Sequence, residues 1–346
     1  MSRLRPPRPR PPFRVPVDPF VLALLATVGL AALLPASGRA ADAAGGASTG
    51  AIALLFLLYG ARLSTRDALD GLRHWRLHTT VLACTFLLFP LLGLAARGLA
   101  PWLLTPQLAT GLLFCCLVPS TVQSSIAFTS IARGNVPAAI CAGSFSSLAG
   151  IVLTPLLAAL LIGGGTGGFS ADALLRIVAQ LLVPFLAGQL LRRWIAGFVA
   201  RHRTVLGRVD RGSILLVVYT AFSEGMVTGV WHRVTPARLA ALLAVEAVLL
   251  AVMLALTWYG AGRLGFGRED RIAIQFAGSK KSLAAGLPMA SVLFGAQASL
   301  AVLPLMLFHQ MQLMVCAVIA RRRAKDPVPD AAVPAALAPN GEPTRR

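Results

Sequence analysis

The chain has 346 residues, of which 56% are hydrophobic and 13% charged, with a formal net charge of +19 and a mean hydropathy of +0.74. A soluble domain is typically about 25% charged, so this composition excludes an ordinary soluble enzyme or binding module and describes an all-α polytopic membrane protein. The positive charge does not imply a nucleic-acid partner: no basic-aromatic surface interleaves, and Lys and Arg mark the cytoplasmic loops of membrane proteins.

Residues 1–19 are rich in Pro and Arg and read as a disordered basic tail, too long for a signal peptide and followed by too many apolar runs. A bilayer span needs roughly 20 apolar residues. Spans are expected at 20–36, 48–63, 78–99, 105–132, 136–162, 171–191, 212–231, 237–261, 271–296 and 298–320, the fourth and ninth interrupted. The tail 321–346 reads as disordered and cytoplasmic. With the N-terminus inside, alternation places twenty-five basic residues in cytoplasmic loops and tails and five outside, and leaves Lys280 and Lys281 within the ninth span. A miscount of one span would invert the later loops and destroy this asymmetry.

The basic stretch 192–211 reads as a cytoplasmic linker between two five-span units, 20–191 and 212–320. Five spans per unit force the second to enter the membrane upside-down. The expected fold is therefore ten transmembrane helices in two inverted five-helix repeats with broken helices 4 and 9, and paired interrupted helices mark a binding site near the midplane.

In the fourth span Pro119 breaks the helix, and Ser120, Thr121, Gln123, Ser124 and Ser125 follow within a few residues. Hydroxyl, amide and freed carbonyl oxygens suit a small cation. One Ser alone would as readily bond to its own helix or to a neighbouring one; the cluster beside a helix-breaking Pro points to a site. Ser144, Ser146 and Ser147 either face that cluster or serve small-residue packing. The ninth span carries Gln275, Ser279, Lys280, Lys281 and Ser282 between Gly278 and Gly286. Lys280 lies nine residues after Arg271, about 13 Å along a helix and so about midway across a core of roughly 30 Å. Charge at that depth is costly and points to function. Glu246 and Glu224 are the acids within spans, each a proton carrier, a lysine counter-ion or, for Glu224, a residue on a wet cavity wall. His309 and Gln310 read as helix-packing polar groups. The five cysteines (Cys84, Cys115, Cys116, Cys141 and Cys316) sit in apolar runs without metal-ligand spacing and read as small packing residues. Enzyme signatures are absent from the sequence, and no cofactor or metal site is expected.

Pro119-Ser-Thr-Val-Gln-Ser-Ser, the turn Ala132-Arg-Gly-Asn135, Gly278-Ser-Lys-Lys-Ser-Leu-Ala284 and Gly286-Leu-Pro-Met289 together resemble the bile acid:sodium symporter family, in its branch of bacterial sodium-dependent transporters and vertebrate homologues. The resemblance covers roughly residues 16–323. It implies a panel of spans 1, 2, 6 and 7, a core of the remaining six, and sodium and substrate sites where the broken helices cross. By position Ser124, Ser125 and Ser144 match one sodium site, with Thr121, Gln123 and Asn135 alongside. Where other members carry Glu and Gln in the ninth helix, this chain has Gln275 or Phe276 and then Lys280. The resemblance thus implies a secondary carrier of a small organic anion, coupled to sodium or protons, with Lys280 standing in for one cation. It would lie in the lipid bilayer of a bacterial inner membrane. A non-transporting membrane regulator on the same fold and a cation/proton antiporter using Glu246 and Lys280 are the alternatives. Reporter fusions after residues 70, 200 and 325 are expected to report the cytoplasm; a periplasmic signal after residue 200 would overturn the two-repeat reading.

Overall fold

The computed structural model describes residues 19–62, 74–98, 100–163, 171–229 and 234–326. The tails expected to be disordered lie outside these residues, except that helix starts at Pro19 and continues to Arg323. The described residues are all-helical: α1 Pro19–Leu33, α2 Arg39–Arg62, α3 Trp75–Gly98, α4 Pro106–Leu117, α5 Val122–Ile131, α6 Val136–Leu161, α7 Ala171–Arg201, α8 Arg203–Val227, α9 Pro236–Arg263, α10 Arg268–Gly278, α11 Leu283–Phe294 and α12 Ala298–Arg323, with single turns at Ala100–Leu103 and Gly295–Gln297.

Local chemistry sets several starts. Thr105 and Thr235 accept a hydrogen bond from the N–H three residues on, and Pro106 and Pro236 follow where a helix has no use for an N–H. Asn135 and Ser282 cap α6 and α11 in the same way. Pro119 ends α4, and α5 leaves at 63° to it. Inside α3, residues Cys84–Leu88 form a π turn. Its cause is visible: the Phe89 N–H bonds Cys84 O, and Pro90 has no N–H to offer Thr85 O.

Helix occurs in each stretch read as a span, with two differences of extent. α2 starts nine residues early, through the small residues of 40–50. The basic stretch 192–211 is helical rather than a loop, with only His202 between α7 and α8. Charged side chains do not end a helix once it leaves the hydrocarbon, and α7, at 31 residues, is about 46 Å long. α2, α3, α6, α9 and α12 are long and apolar enough to cross a membrane, and the bent pair α4–α5 makes a sixth candidate. The surface is apolar: Leu33, Leu160 and Leu190 are exposed, whereas Ser120, Ser125, Glu246, Lys280, Lys281 and Gln312 are buried. This inverts the pattern of a soluble domain and suits lipid.

Two groups of helices pack together. α2 lies along α7 and α8, and α1 on α8. The second group joins α3, α4 and α12, sets α5 and α10 against α6, and places α9 on α10 and α12. α6 against α7, and α12 and α11 against α8, connect the groups. An ion pair from Arg62 to Asp210 ties α2 to α8. The α2–α7 crossing is closest at Gly60 and Gly188: a Cβ on Gly60 would lie 2.0 Å from Phe185 O, and one on Gly188 2.0 Å from Leu57 O. Small residues allow such backbone approach in membranes. Gly60→Ala and Gly188→Ala are each expected to lower unfolding stability by about 1–3 kcal/mol, measured in detergent. Gly197→Ala, where a Cβ meets nothing within 4 Å, serves as the neutral comparison.

Candidate functional site at the crossing of two broken helices

The breaks at 118–121 and 279–282 meet inside the second group of helices. Each supplies what the other lacks. Ser282 N–H donates to Pro119 O at 2.8 Å, Thr121 Oγ1 to Lys281 O at 2.7 Å, and Ser120 Oγ to Ala277 O at 2.5 Å. Ser125 Oγ donates to Phe276 O at 3.0 Å. α6 completes the frame: Ser146 Oγ accepts from Ser120 N–H at 2.9 Å, and Thr154 Oγ1 donates to Leu117 O at 2.9 Å. Buried backbone groups released by a break must find partners, and here they find them across the crossing.

The two lysines divide at this point. Lys281 is fully buried, and its Nζ donates to Thr85 O at 3.0 Å, Cys116 O at 2.7 Å and Val118 O at 2.8 Å. Three donors thus meet three carbonyls, with the Phe89 ring centroid 4.2 Å away. Two carbonyls belong to the end of α4, where the helix dipole favours a cation; the third is the one that Pro90 leaves free in the π turn. Oxygens at these distances suit the hydrogen bonds of an ammonium, whereas small divalent cations draw oxygen ligands to about 2.0–2.6 Å. The main chain of Lys281 is clamped by Gln312 on α12, which accepts from its N–H at 2.8 Å and donates to its carbonyl at 2.8 Å.

Lys280 is equally buried but less occupied. Its Nζ donates to Ser124 Oγ at 2.8 Å and lies 3.9 Å from the Phe128 ring centroid. The resemblance implies Lys280 as the stand-in for one cation, but the carbonyls freed at the break are taken by Lys281. Residues 279–282 leave the helix, so the roughly 100° separation of adjacent helical side chains does not apply, and the two ammonium groups reach different helices.

Thr121, Ser124, Ser125, Ser279, Lys280, Lys281 and Ser282 come together at the crossing. Ser279 Oγ bonds back to Gln275 O at 2.5 Å. Gln275 sits a turn before the break; its Nε2 donates to Leu254 O on α9 at 3.1 Å, and its Oε1 is buried without a partner among the described residues. Gln123 is exposed and Ser144 half-buried. Asn135 lies away from the crossing, capping α6 and donating to Asp270 Oδ1 at 2.7 Å. Glu224 is exposed on α8, and Glu246 is fully buried on α9. Thr85, Thr154 and Gln312 were not anticipated as parts of the site. Of these only Thr85 had a sequence signal, the proline five residues on. No disulfide joins the five cysteines.

The family model described as the SBF-like CPA transporter family matches residues 18–325. The chain belongs to that family. It is therefore a transport protein of the membrane, not an enzyme. This SBF-like transporter is 56% identical over 310 residues to the uncharacterised protein PA2026 of Pseudomonas aeruginosa, covering 89% of the chain and 93% of that protein. It is 48% identical to Putative symporter YfeH of Escherichia coli, over 90% of the chain and 93% of that protein. Sodium/bile acid cotransporter 7-B of Xenopus laevis is 28% identical, over 78% of the chain and 80% of its own length. These matches support the bile acid:sodium symporter resemblance and its bacterial branch.

Within this SBF-like transporter, Lys281→Met would leave three buried carbonyls without a donor, each costing about 1–3 kcal/mol. Its thermal stability in detergent is expected to fall by about 3 kcal/mol or more, while Lys280→Met, which strands one hydroxyl able to turn to its own helix, stays near wild type. Equal losses from the two would show that Lys281 is not the structural cation.

Proposed function

We propose that the protein is a secondary active carrier that moves a small organic anion by alternating access. The observation that carries this reading is Lys280: a buried ammonium at the crossing of two broken helices, held by one hydroxyl and one ring face. Among the described residues nothing else spends its remaining N–H donors. Ser124, its partner, lies in the first turn of α5, whose start has no side-chain cap. Uncapped N–H groups and the positive end of a helix dipole favour an anion, as does the ammonium. Carboxylate or sulfonate oxygens would take both. The relatives named as sodium/bile acid cotransporters support an organic anion as cargo, and the relative named as a symporter supports coupled transport.

Lys281 fills the role of a bound cation at the end of α4, so one coupling ion is replaced by a fixed charge and sodium is needed less than in acidic relatives. In this reading α1, α2, α7 and α8 are the panel, the remaining helices are the core, and the chain forms ten spans in two inverted repeats. The positive-inside asymmetry places both termini in the cytoplasm of a bacterial inner membrane.

Reconstituted protein is expected to take up members of a panel of radiolabelled organic anions, bile acids included, with uptake persisting when choline replaces sodium. Lys280→Gln should cut uptake at least about tenfold, the equivalent of 1.4 kcal/mol of lost binding. Steep, saturable sodium dependence in the wild type would rule out a lysine as the substitute cation. Absence of flux for every anion would remove the carrier reading.

A further inference from the structure

Glu246 is the one acid among the described residues that is fully buried, and neither carboxyl oxygen has a hydrogen-bond partner there. It sits ten residues into α9, a helix long and apolar enough to span, which puts it about 15 Å from that end and near the middle of a core of about 30 Å. A bare carboxylate in such a place costs far more than any packing gain restores, so in this conformation the group is the neutral acid.

Among the described residues neither oxygen is hydrogen-bonded or ion-paired to a cation. The titratable groups within electrostatic reach are the thiols of Cys115 and Cys116 on α4. The charges of the other elements packed on α9 lie elsewhere. Arg97 ends α3 and donates to Leu161 O. Arg268, Glu269, Asp270 and Arg271 open α10, and Arg321, Arg322 and Arg323 close α12. His309 of α12 contacts the carbonyl of Lys281. The turn Ala100–Leu103 carries no titratable side chain. None of these groups hydrogen-bonds the Glu246 carboxyl. Lys281 spends its donors on carbonyls, Cys116 O among them, and not on the carboxyl.

We propose that Glu246 is a reversible proton-binding site in the middle of the membrane, loaded in this conformation and emptied when the carrier cycle brings water or a cation to it. The proton is then a coupling species for the anion. The site stands on Glu246 alone, while its coupling role rests on the carrier reading.

Infrared difference spectra of the full-length protein in nanodiscs, recorded while pH is stepped, test the site without any transport assay. A protonated carboxyl has a carbonyl stretch apart from the amide and carboxylate bands. The wild type is expected to show this band at neutral pH, to shift it in heavy water and to lose it at alkaline pH, and Glu246→Gln is expected to lack it. Should that variant fail to fold, Glu246→Asp is expected to keep the band at a changed frequency. Absence of the band from the wild type at every pH, its survival in Glu246→Gln, an unchanged frequency in Glu246→Asp, or a band indifferent to heavy water and pH would each overturn the proposal. Because the band is read without flux, the proton site and the carrier reading fail separately.

Discussion

The architecture of the crossing depends on one ammonium group. Lys281 joins three carbonyls that the chain leaves without donors: one in the last turn of α4, one on the residue before Pro119, and one in the π turn of α3. Each of these carbonyls lacks a donor because of a proline or a helix end. Pro90 cannot serve Thr85 O, and Pro119 stops the ladder of α4. In hydrocarbon such groups would cost several kilocalories per mole, and a single side chain with three donors settles all three. The broken helices are therefore not loose ends but a closed hydrogen-bonded unit, to which Gln312 adds a clamp on the Lys281 main chain from α12.

That closure explains which parts of the site were legible in the sequence. Charge at depth is expensive whatever the fold, so the pair Lys280–Lys281 stood out, as did the hydroxyl cluster after Pro119. Which lysine would take the carbonyls was not legible, because the direction of a side chain leaving a non-helical turn is set by tertiary contacts. Thr154 and Gln312 were hidden for a related reason: one polar residue in an apolar run has no local signature until its partner is known. Asn135 shows the reverse. Its place before Val136-Pro137 is a strong capping signal, and the structure uses it as a cap, whereas the family resemblance of the turn Ala132–Asn135 implies a binding role.

The broad fold was more accessible than the joints. Apolar runs of the right length located the helices, while α2, α7 and α8 extend about nine or ten residues beyond them. The basic stretch between α7 and α8 reads as a linker in the sequence, whereas charge ends only a helix's contact with lipid. The consequence is a near-continuous helical connection, with His202 as its single non-helical residue. Shape changes that pass between the two groups of helices must use the packing of α6 on α7 and of α11 and α12 on α8.

The proposed anion cargo rests on the charge balance of the interior. Lys281 is already matched by carbonyls and by the negative end of α4, and Glu246, as a neutral acid, offsets nothing. Lys280, when it carries its proton, has one hydroxyl and one ring face for company. Bringing a sodium ion within 4 Å of it would cost on the order of 4 kcal/mol at an effective dielectric of about 20. An organic anion at the same distance would gain a similar amount. A charge moved through the membrane field also exchanges about 2.3 kcal/mol per 100 mV, so a core that crosses part of that field with Lys280 unpaired feels the potential, and one that crosses with Lys280 neutralised does not. The anion would then be more than cargo: by cancelling Lys280 it would set how strongly the membrane voltage acts on the moving core.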